Sequence, residues 1–149
     1  MRFELATPAR LLVSAEVDEV VAPGSEGYFG VLPGHAPFLT TLGTGELTYR
    51  QGQQVQAVAV FGGFAEVTPE HVVVLAEAAE LPEEIDRARA ESARQRAEAR
   101  MSGRSPSGAR EEIDFTRALA ALARALARLQ VANRAPVVVG GPARDLAQL

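Results

Sequence analysis

Residues 54–75 read QVQAVAVFGGFAEVTPEHVVVL, and this stretch decides the fold class. Residues 54–61 are rich in valine, and residues 71–75 are nearly all apolar. The pair Gly62-Gly63 follows the first run, and Pro69 precedes the second. Short runs of β-branched residues bounded by glycine and proline are typical of strands joined by turns. We therefore predict strands over both runs, with turns at the glycine pair and at the proline.

The same pattern extends towards the N-terminus. Residues 11–21 alternate between apolar and polar side chains, and residues 45–49 form a shorter run. No helical stretch long enough for a crossover occurs before Pro82, which favours an antiparallel β-sandwich over a βαβ sheet. Further turn signals stand at Pro23-Gly24, Pro33-Gly34, Gly43, Gly45 and Gly52.

The composition changes near Leu81-Pro82, where we place a domain boundary between residues 1–81 and 82–134. Residues 1–80 hold 3 Arg against 10 acidic residues, whereas residues 81–149 hold 12 Arg against 9. Proline suits the first position of a helix, and acidic residues suit its positive N-terminal end. Pro82 and the acidic residues after it therefore predict a helix that runs to about Met101.

A second helix is predicted over residues 112–133. Residues 102–109, with two Gly and a Pro, predict a turn or linker, and residues 135–149 predict an extended or disordered tail. The arginines Arg117, Arg124 and Arg128 recur on one side of this helix. The opposite side forms an apolar face of Phe115, Leu119, Leu122, Leu126 and Leu129.

Composition excludes several classes of function. The chain of 149 residues has 47% hydrophobic residues, no Cys and no Trp, and all 15 of its basic residues are Arg. Disulfides, cysteine metal sites, lysine nucleophiles and phosphate-loop lysines are therefore excluded. His35 and His71 form no cluster, so no metal site is expected. Ser14 and Ser25 lack a nearby histidine motif, which leaves no catalytic residue to predict.

The net charge and the hydropathy of the chain limit the partners and the cellular location that we expect. The net charge is −4, and no aromatic residue stands among the Arg residues, so nucleic acid is not an expected partner. No apolar run is long enough to cross a bilayer, and residues 1–10 do not have the pattern of a signal peptide. From these features we expect a cytosolic protein.

Three segments resemble the epsilon subunits of bacterial F-type ATP synthases, and the resemblance spans residues 1–134. The first is GSEGYFGVLPGHAP at residues 24–37, and the second is GGFAEV at residues 62–67. The third is the helical hairpin, with Ile85-Asp86 and Arg89-Ala90 in its first helix and Asp114-Phe115 at the start of its second.

The resemblance implies a flattened sandwich of about ten strands joined to a C-terminal α-helical hairpin. In that family the sandwich binds the gamma subunit and sits on the c-ring, as a non-catalytic part of the rotor. The hairpin either folds against the sandwich or extends between the alpha and beta subunits, where it inhibits ATP hydrolysis. The implied location is peripheral, on the cytoplasmic face of the bacterial inner membrane.

The resemblance also implies site residues. Tyr28 and His35 correspond to positions that contact the c-ring, although Tyr28 replaces an acidic residue of some relatives. No cofactor is required, and ATP is the implied regulatory ligand. Glu80 corresponds to the adenine or ribose contact, and Arg124 and Arg128 to the phosphate contacts, with Arg96 assisting. The ATP-binding motif of the family matches Ile85, Asp86, Arg89 and Ala90.

Plainer interpretations stand beside these. Residues 33–37 can be a simple surface turn, and Asp86 with Arg89 can be an exposed ion pair worth a few tenths of a kcal/mol. The arginine side of the second helix can be a solvated surface or can meet acidic beta subunits. The alternative function is a free-standing ATP-sensing module, which would not co-purify with a gamma subunit.

Overall fold

The computed structural model describes residues 1–102, 111–134 and 137–138, without the side chains of 111–113 and 137–138. Its N-terminal part is a β-sandwich, which confirms the predicted fold class. The strands are β1 (Arg2–Ala6), β2 (Leu11–Glu16), β3 (Glu19–Gly24), β4 (Gly27–Val31), β5 (Phe38–Gln51), β6 (Gln54–Thr68), β7 (His71–Ala76), β8 (Ala79–Glu80) and β9 (Val137–Val138).

Seven strands form one hydrogen-bonded path in the order β2-β1-β7-β6-β5-β3-β4, and β8 and β9 both pair with β6. The pairs are antiparallel except β1 with β7, which is parallel and departs from the prediction. The predicted turn at Pro69 is present between β6 and β7. The predicted strand over residues 11–21 is two strands, because Val17 and Asp18 separate β2 from β3.

The predicted turns at Gly43, Gly45 and Gly62-Gly63 are wrong, because β5 and β6 continue through them as strands of 14 and 15 residues. Gly62 and Gly63 have φ values of 76° and 128°, which bend β6 without ending it. One half of β6 pairs with β7 and the other with β8 and β9. Residues 1–80 therefore contain eight strands, fewer than the expected ten.

The sandwich core follows from the alternation of side chains along the strands. Alternate residues of β1, β3 and β7, and of each half of β6, point inward, and residues from both layers meet in one cluster. The largest fully buried side chains of the sandwich are Phe3, Leu5, Leu47, Val20, Val31, Val58, Val60, Val67, Val72 and Val74.

The helical part begins later than predicted. Pro82–Glu84 form a 3-10 turn, and α1 runs from Arg87 to Met101 with Asp86 as its N-cap. The second helix, α2 (Glu111–Asn133), agrees with its predicted bounds within a residue. The predicted linker beyond Ser102 and the predicted tail, apart from β9, lie outside the described residues.

Small side chains form the contact between α1 and α2. Ala90 and Ala97 of α1 are buried, as are Ala118 and Ala125 of α2, in agreement with the shallow stripe expected for close helix packing. The larger apolar face of α2 is only partly covered, since Leu122 and Leu129 are half-buried and its other three residues are exposed. Exposed fractions are 48% for Phe115, 49% for Leu119 and 43% for Leu126.

A second, smaller cluster docks the hairpin on the sandwich. Ala127 and Val131 of α2 pack on one half of β6, and Ile85 closes the cluster at its edge. The β6 residues in this contact are Ala57, Ala59 and Phe61. Neither described helix has the length and hydropathy that a membrane crossing requires.

Candidate functional site

A cleft of about 480 Å³ lies where α1, α2 and the end of the sandwich meet. Seven of the eight predicted ATP-binding residues line it, whereas Ile85 packs in the docking cluster instead. The lining residues are Glu80, Glu84, Asp86, Arg89, Ala90, Ala93, Arg96, Ala121, Arg124 and Arg128.

Arg128 is fixed by a side chain of the sandwich. Its guanidinium donates to both carboxylate oxygens of Glu80, with Nε–Oε1 at 2.9 Å and Nη2–Oε2 at 2.8 Å. The guanidinium carbon also lies 4.8 Å from the centre of the Phe61 ring, within cation–π range. The hydrogen bonds that Arg128 donates to Glu80 raise the pKa of Arg128 above its ordinary value. The pair ties α2 to β8 beside the cleft.

Three other arginines of the cleft are exposed and come from both helices. Arg89 and Arg96 belong to α1, and Arg124 belongs to α2. Within the part of the chain described here, none of the three forms an ion pair. Guanidinium groups with free donors bind phosphate oxygens in a forked geometry. The arrangement therefore suits a polyphosphate that reaches from one helix to the other.

The cleft also has an acidic rim that is partly neutralised by the sandwich. Arg10, in the turn between β1 and β2, donates to the Glu84 carboxylate at 2.7 Å. This hydrogen bond is the main reason that the pKa of Glu84 is lowered. The sequence pattern held no sign of this pair, because its members are separated by 74 positions. Its effect is to reduce the repulsion between Glu84 and an anionic ligand.

Asp86 begins the first helix of the cleft. Its carboxylate accepts from the backbone N–H of Arg89 at 3.1 Å, as an N-cap residue does. The alternative of an ion pair between the two side chains is therefore wrong. The motif residue has a structural role whether or not it contacts a ligand.

Replacing Asp86 with alanine is expected to lower the free energy of unfolding by about 1 kcal/mol, because the cap is lost. Asp86→Asn retains a capping oxygen and is expected to lose much less. Urea unfolding followed by far-UV circular dichroism measures both variants. Equal losses for the alanine and asparagine variants would show that the cap is not what the carboxylate provides.

Tyr28 and His35, the predicted c-ring contacts, each have an internal partner. The Tyr28 hydroxyl accepts from the backbone N–H of Glu46 at 3.1 Å. His35 is only half exposed, its Nδ1–H donates to the Ala36 carbonyl at 2.7 Å, and its ring lies 6.2 Å from that of Phe38. Tyr28 nevertheless remains 58% exposed, so its ring is available for contact with another molecule.

One face of the sandwich carries a row of exposed apolar side chains. Phe64, Leu75, Ala6 and Leu11 are successive partners across β6, β7, β1 and β2. Phe64, Leu75 and Leu11 are each more than half exposed. A groove of about 330 Å³ beside the row is largely apolar. Contiguous apolar surface of this kind is typical of a protein interface.

Two family models match the chain. The ATP synthase delta/epsilon chain β-sandwich domain matches residues 1–82, and the ATP synthase delta/epsilon chain long α-helix domain matches residues 83–133. The chain is also 52% identical over 134 residues to the ATP synthase epsilon chain of Syntrophobacter fumaroxidans, covering 90% of this chain and 96% of that one. It is 48% identical to ATP synthase epsilon chain 2 of Syntrophotalea carbinolica, with 90% and 94% covered.

A similar arrangement occurs in a solved structure. A chain in the cryo-EM structure of the Euglena gracilis mitochondrial ATP synthase (OSCP, F1 and c-ring, rotational state 1) superposes with a TM-score of 0.72. The two sequences are 26% identical, and the match covers 89% of this chain and 80% of the other.

Proposed function

The chain belongs to the delta/epsilon chain family of ATP synthases, and on that premise we propose a non-catalytic role in the rotor of a bacterial enzyme. In this role the sandwich joins the gamma subunit to the c-ring, and the hairpin restrains ATP hydrolysis. ATP is a regulatory ligand that holds the hairpin folded. The assembly keeps the chain at the cytoplasmic face of the inner membrane.

The cleft is the observation that carries the regulatory part of the proposal. Glu80 belongs to the sandwich, Arg89 to α1 and Arg124 to α2, so the cleft exists only while the hairpin is folded. A triphosphate that contacts both helices therefore binds the folded state and stabilises it by RT ln(1 + [ATP]/Kd). That amounts to about 1.4 kcal/mol for each tenfold excess over Kd. No hydrolysis is needed for this effect.

The surface of α2 supports the inhibitory part. Arg117 and Arg124 are exposed on one side of the helix, and Phe115, Leu119 and Leu126 are exposed on another. A released hairpin can present basic side chains to acidic alpha and beta subunits and its apolar face to a protein groove. Both contacts would resist rotation in the hydrolysis direction.

The sandwich supports the coupling part. The exposed row of Phe64, Leu75, Ala6 and Leu11 offers a flat apolar face that fits a protein shaft such as the gamma subunit. Tyr28 and His35 lie on the strand and loop between β3 and β5, away from this row in the sequence. We assign the row to gamma and the Tyr28–His35 region to the c-ring.

Truncation of the chain after Leu81 is expected to raise the rate of ATP hydrolysis by the reconstituted complex at low ATP concentration. The truncated chain keeps the whole sandwich core cluster, whose members all lie within residues 3–76. Circular dichroism verifies that its sheet is retained. A coupled assay of ADP release then compares complexes that carry the full and the truncated chain.

Co-purification with the gamma subunit separates this proposal from the free-standing ATP sensor. Both the full and the truncated chain are expected to co-purify with gamma, since the proposed contact lies on the sandwich. Equal hydrolysis rates for the two complexes would remove the inhibitory role. Failure of both chains to co-purify would favour the sensor.

A further inference from the structure

The C-terminal end of α2 is held to the sandwich by contacts that are separate from the cleft. The family match for the helical domain ends at residue 133, and the chain continues to residue 149. The first contact to the sandwich after that point is made by Arg134. Among the described residues beyond Arg134, Val137 and Val138 of β9 make a further contact through their backbone.

Arg134 forms a two-point ion pair with Glu46 of β5. Its Nε donates to Oε2 at 2.9 Å, and its Nη2 donates to Oε1 at 2.8 Å. The Glu46 side chain is only 13% exposed, so its charge is largely removed from water. A bidentate pair with one largely covered member is stronger than an open surface pair. Without Arg134, the Glu46 carboxylate would have no positive partner among the described residues.

Glu46 is itself held rigidly. Its residue pairs with Ala59 in the ladder between β5 and β6, and its backbone N–H donates to the Tyr28 hydroxyl at 3.1 Å. The adjacent Gly45 allows this, because a Cβ there would lie 2.6 Å from the Tyr28 hydroxyl. The backbone that carries the Glu46 carboxylate is therefore held in place beneath the end of α2.

The strand β9 extends the attachment along the sheet. Val137 pairs with Val55, and Val138 pairs with Gln54, on the edge of β6 that β8 occupies further along. Edge strands have unpaired backbone groups that bind an added strand through main-chain hydrogen bonds. The free edge of β6 is thus a docking surface whose occupant is the chain's own segment after α2.

We propose that Arg134 and β9, together called the strap, hold the hairpin folded when no nucleotide is bound. The strap lies beyond the segment matched by the family model, and it adds to the restraint that the docking cluster and the Arg128–Glu80 pair already provide without ATP. Release of α2 requires the ion pair to Glu46 and the pairing with β6 to separate together. This inference goes beyond the proposed function and does not depend on ATP binding.

Energy transfer between two dyes tests the strap in the full-length chain without nucleotide. The sequence has no cysteine, so Glu70→Cys on the sandwich and Ala120→Cys on α2, both at exposed positions, provide unique labelling sites. Single-molecule measurements give the fraction of molecules with an undocked hairpin. Glu46→Gln and Arg134→Gln are each expected to raise that fraction about tenfold, because a hydrogen-bonded charge pair is lost.

Two further variants make the result specific. A chain ending at Arg134 keeps the ion pair and lacks β9, and a smaller rise of a few fold is expected for it. Arg94→Gln removes a comparable arginine whose ion-pair partners in the described part of the chain, Glu91 and Glu98, both lie in α1, and no change is expected. The double variant of Glu46 and Arg134 is expected to match the single variants, since both break one contact.

The proposal is overturned if the Arg134 variant and the shortened chain have the wild-type undocked fraction. Neither change alters the sandwich core, so loss of folding cannot hide the result. An undocked fraction that rises equally in Arg94→Gln would also overturn it, because the effect would then follow from charge removal on the hairpin in general. Because nucleotide is absent throughout, failure of the ATP proposal leaves this test unaffected.

Discussion

Replacement of Arg124 with alanine is expected to weaken ATP binding to the isolated chain by about 10- to 100-fold. Hydrogen bonds to charged groups contribute about 1.5–3 kcal/mol, and each 1.4 kcal/mol is a factor of about ten in Kd. Arg124 is exposed in the cleft and has no ion-pair partner among the described residues, so its donors are available to phosphate. Isothermal titration calorimetry of the full-length chain measures the loss.

Arg100→Ala is the matched control for this experiment. Arg100 is also an exposed helical arginine, but it does not line the cleft. The two variants have the same change in net charge, and alanine is compatible with a helix in both. The control is expected to bind ATP as the wild type does, apart from a small long-range effect. An Arg124→Ala chain that binds as tightly as the control would exclude Arg124 from the site.

Gly63→Ala is expected to destabilise the sandwich by about 3 kcal/mol or more. Gly63 has a φ of 128°, a backbone conformation that other residues rarely adopt. A Cβ at this position would lie 2.2 Å from the Leu75 carbonyl oxygen and 2.7 Å from the Ala76 Cα. Both neighbours are backbone atoms of β7, so no side-chain movement can relieve the contact. The bend of β6 would have to change.

Alanine variants of two other glycines are compared with Gly63→Ala in urea unfolding, and smaller losses of stability are expected for both. Gly52 has a φ of 59° with nothing within 4 Å of its Cβ position, and Gly52→Ala is expected to cost about 1 kcal/mol. Gly30 has open space and no positive φ, so Gly30→Ala is expected to stay within about 0.5 kcal/mol of wild type. If Gly63→Ala unfolds at the same urea concentration as Gly30→Ala, then β6 is not bent through a close contact with β7.

The sandwich could be predicted from the valine-rich runs, but the course of its longest strands could not. A glycine with positive φ serves equally well in a turn and in a bent strand, since both use the same backbone freedom. At Gly63, the bent strand is distinguished from a turn by the close contact with the backbone of Leu75 and Ala76. That contact depends on strand pairing, which short-range sequence patterns do not specify.

The second helix shows a similar limit. Periodicity correctly located α2 and its apolar face, but the fully buried side chains beside that face are Ala118 and Ala125, and its leucines are only half-buried or exposed. Close packing of two helices favours small side chains at the seam. A row of large apolar residues at helical spacing looks the same in sequence whether it is buried in the chain or left for a partner.

The family resemblance named most of the residues that line the cleft, because they belong to one short motif and one helix. Asp86, Arg89 and Ala90 lie at the N-cap and in the first turn of α1, and Arg124 and Arg128 are one turn apart in α2. Arg10 and Glu84 were not predicted as a pair, because only the folded chain brings the first β-turn next to the 3-10 turn. Residues that meet only through tertiary contact have no short sequence spacing from which their pairing could be predicted.

The alanine-rich contact between hairpin and sandwich has a thermal consequence. Docking buries Ala57, Ala59 and Ala127 with only two larger side chains in the core of the cluster, so little apolar surface is hydrated when it opens. A small hydration change means a small heat-capacity change, whereas complete unfolding of the sandwich has a large one. We therefore expect a nearly straight van't Hoff plot for the opening equilibrium. Over the same temperatures, the free energy of unfolding of the sandwich is expected to curve strongly.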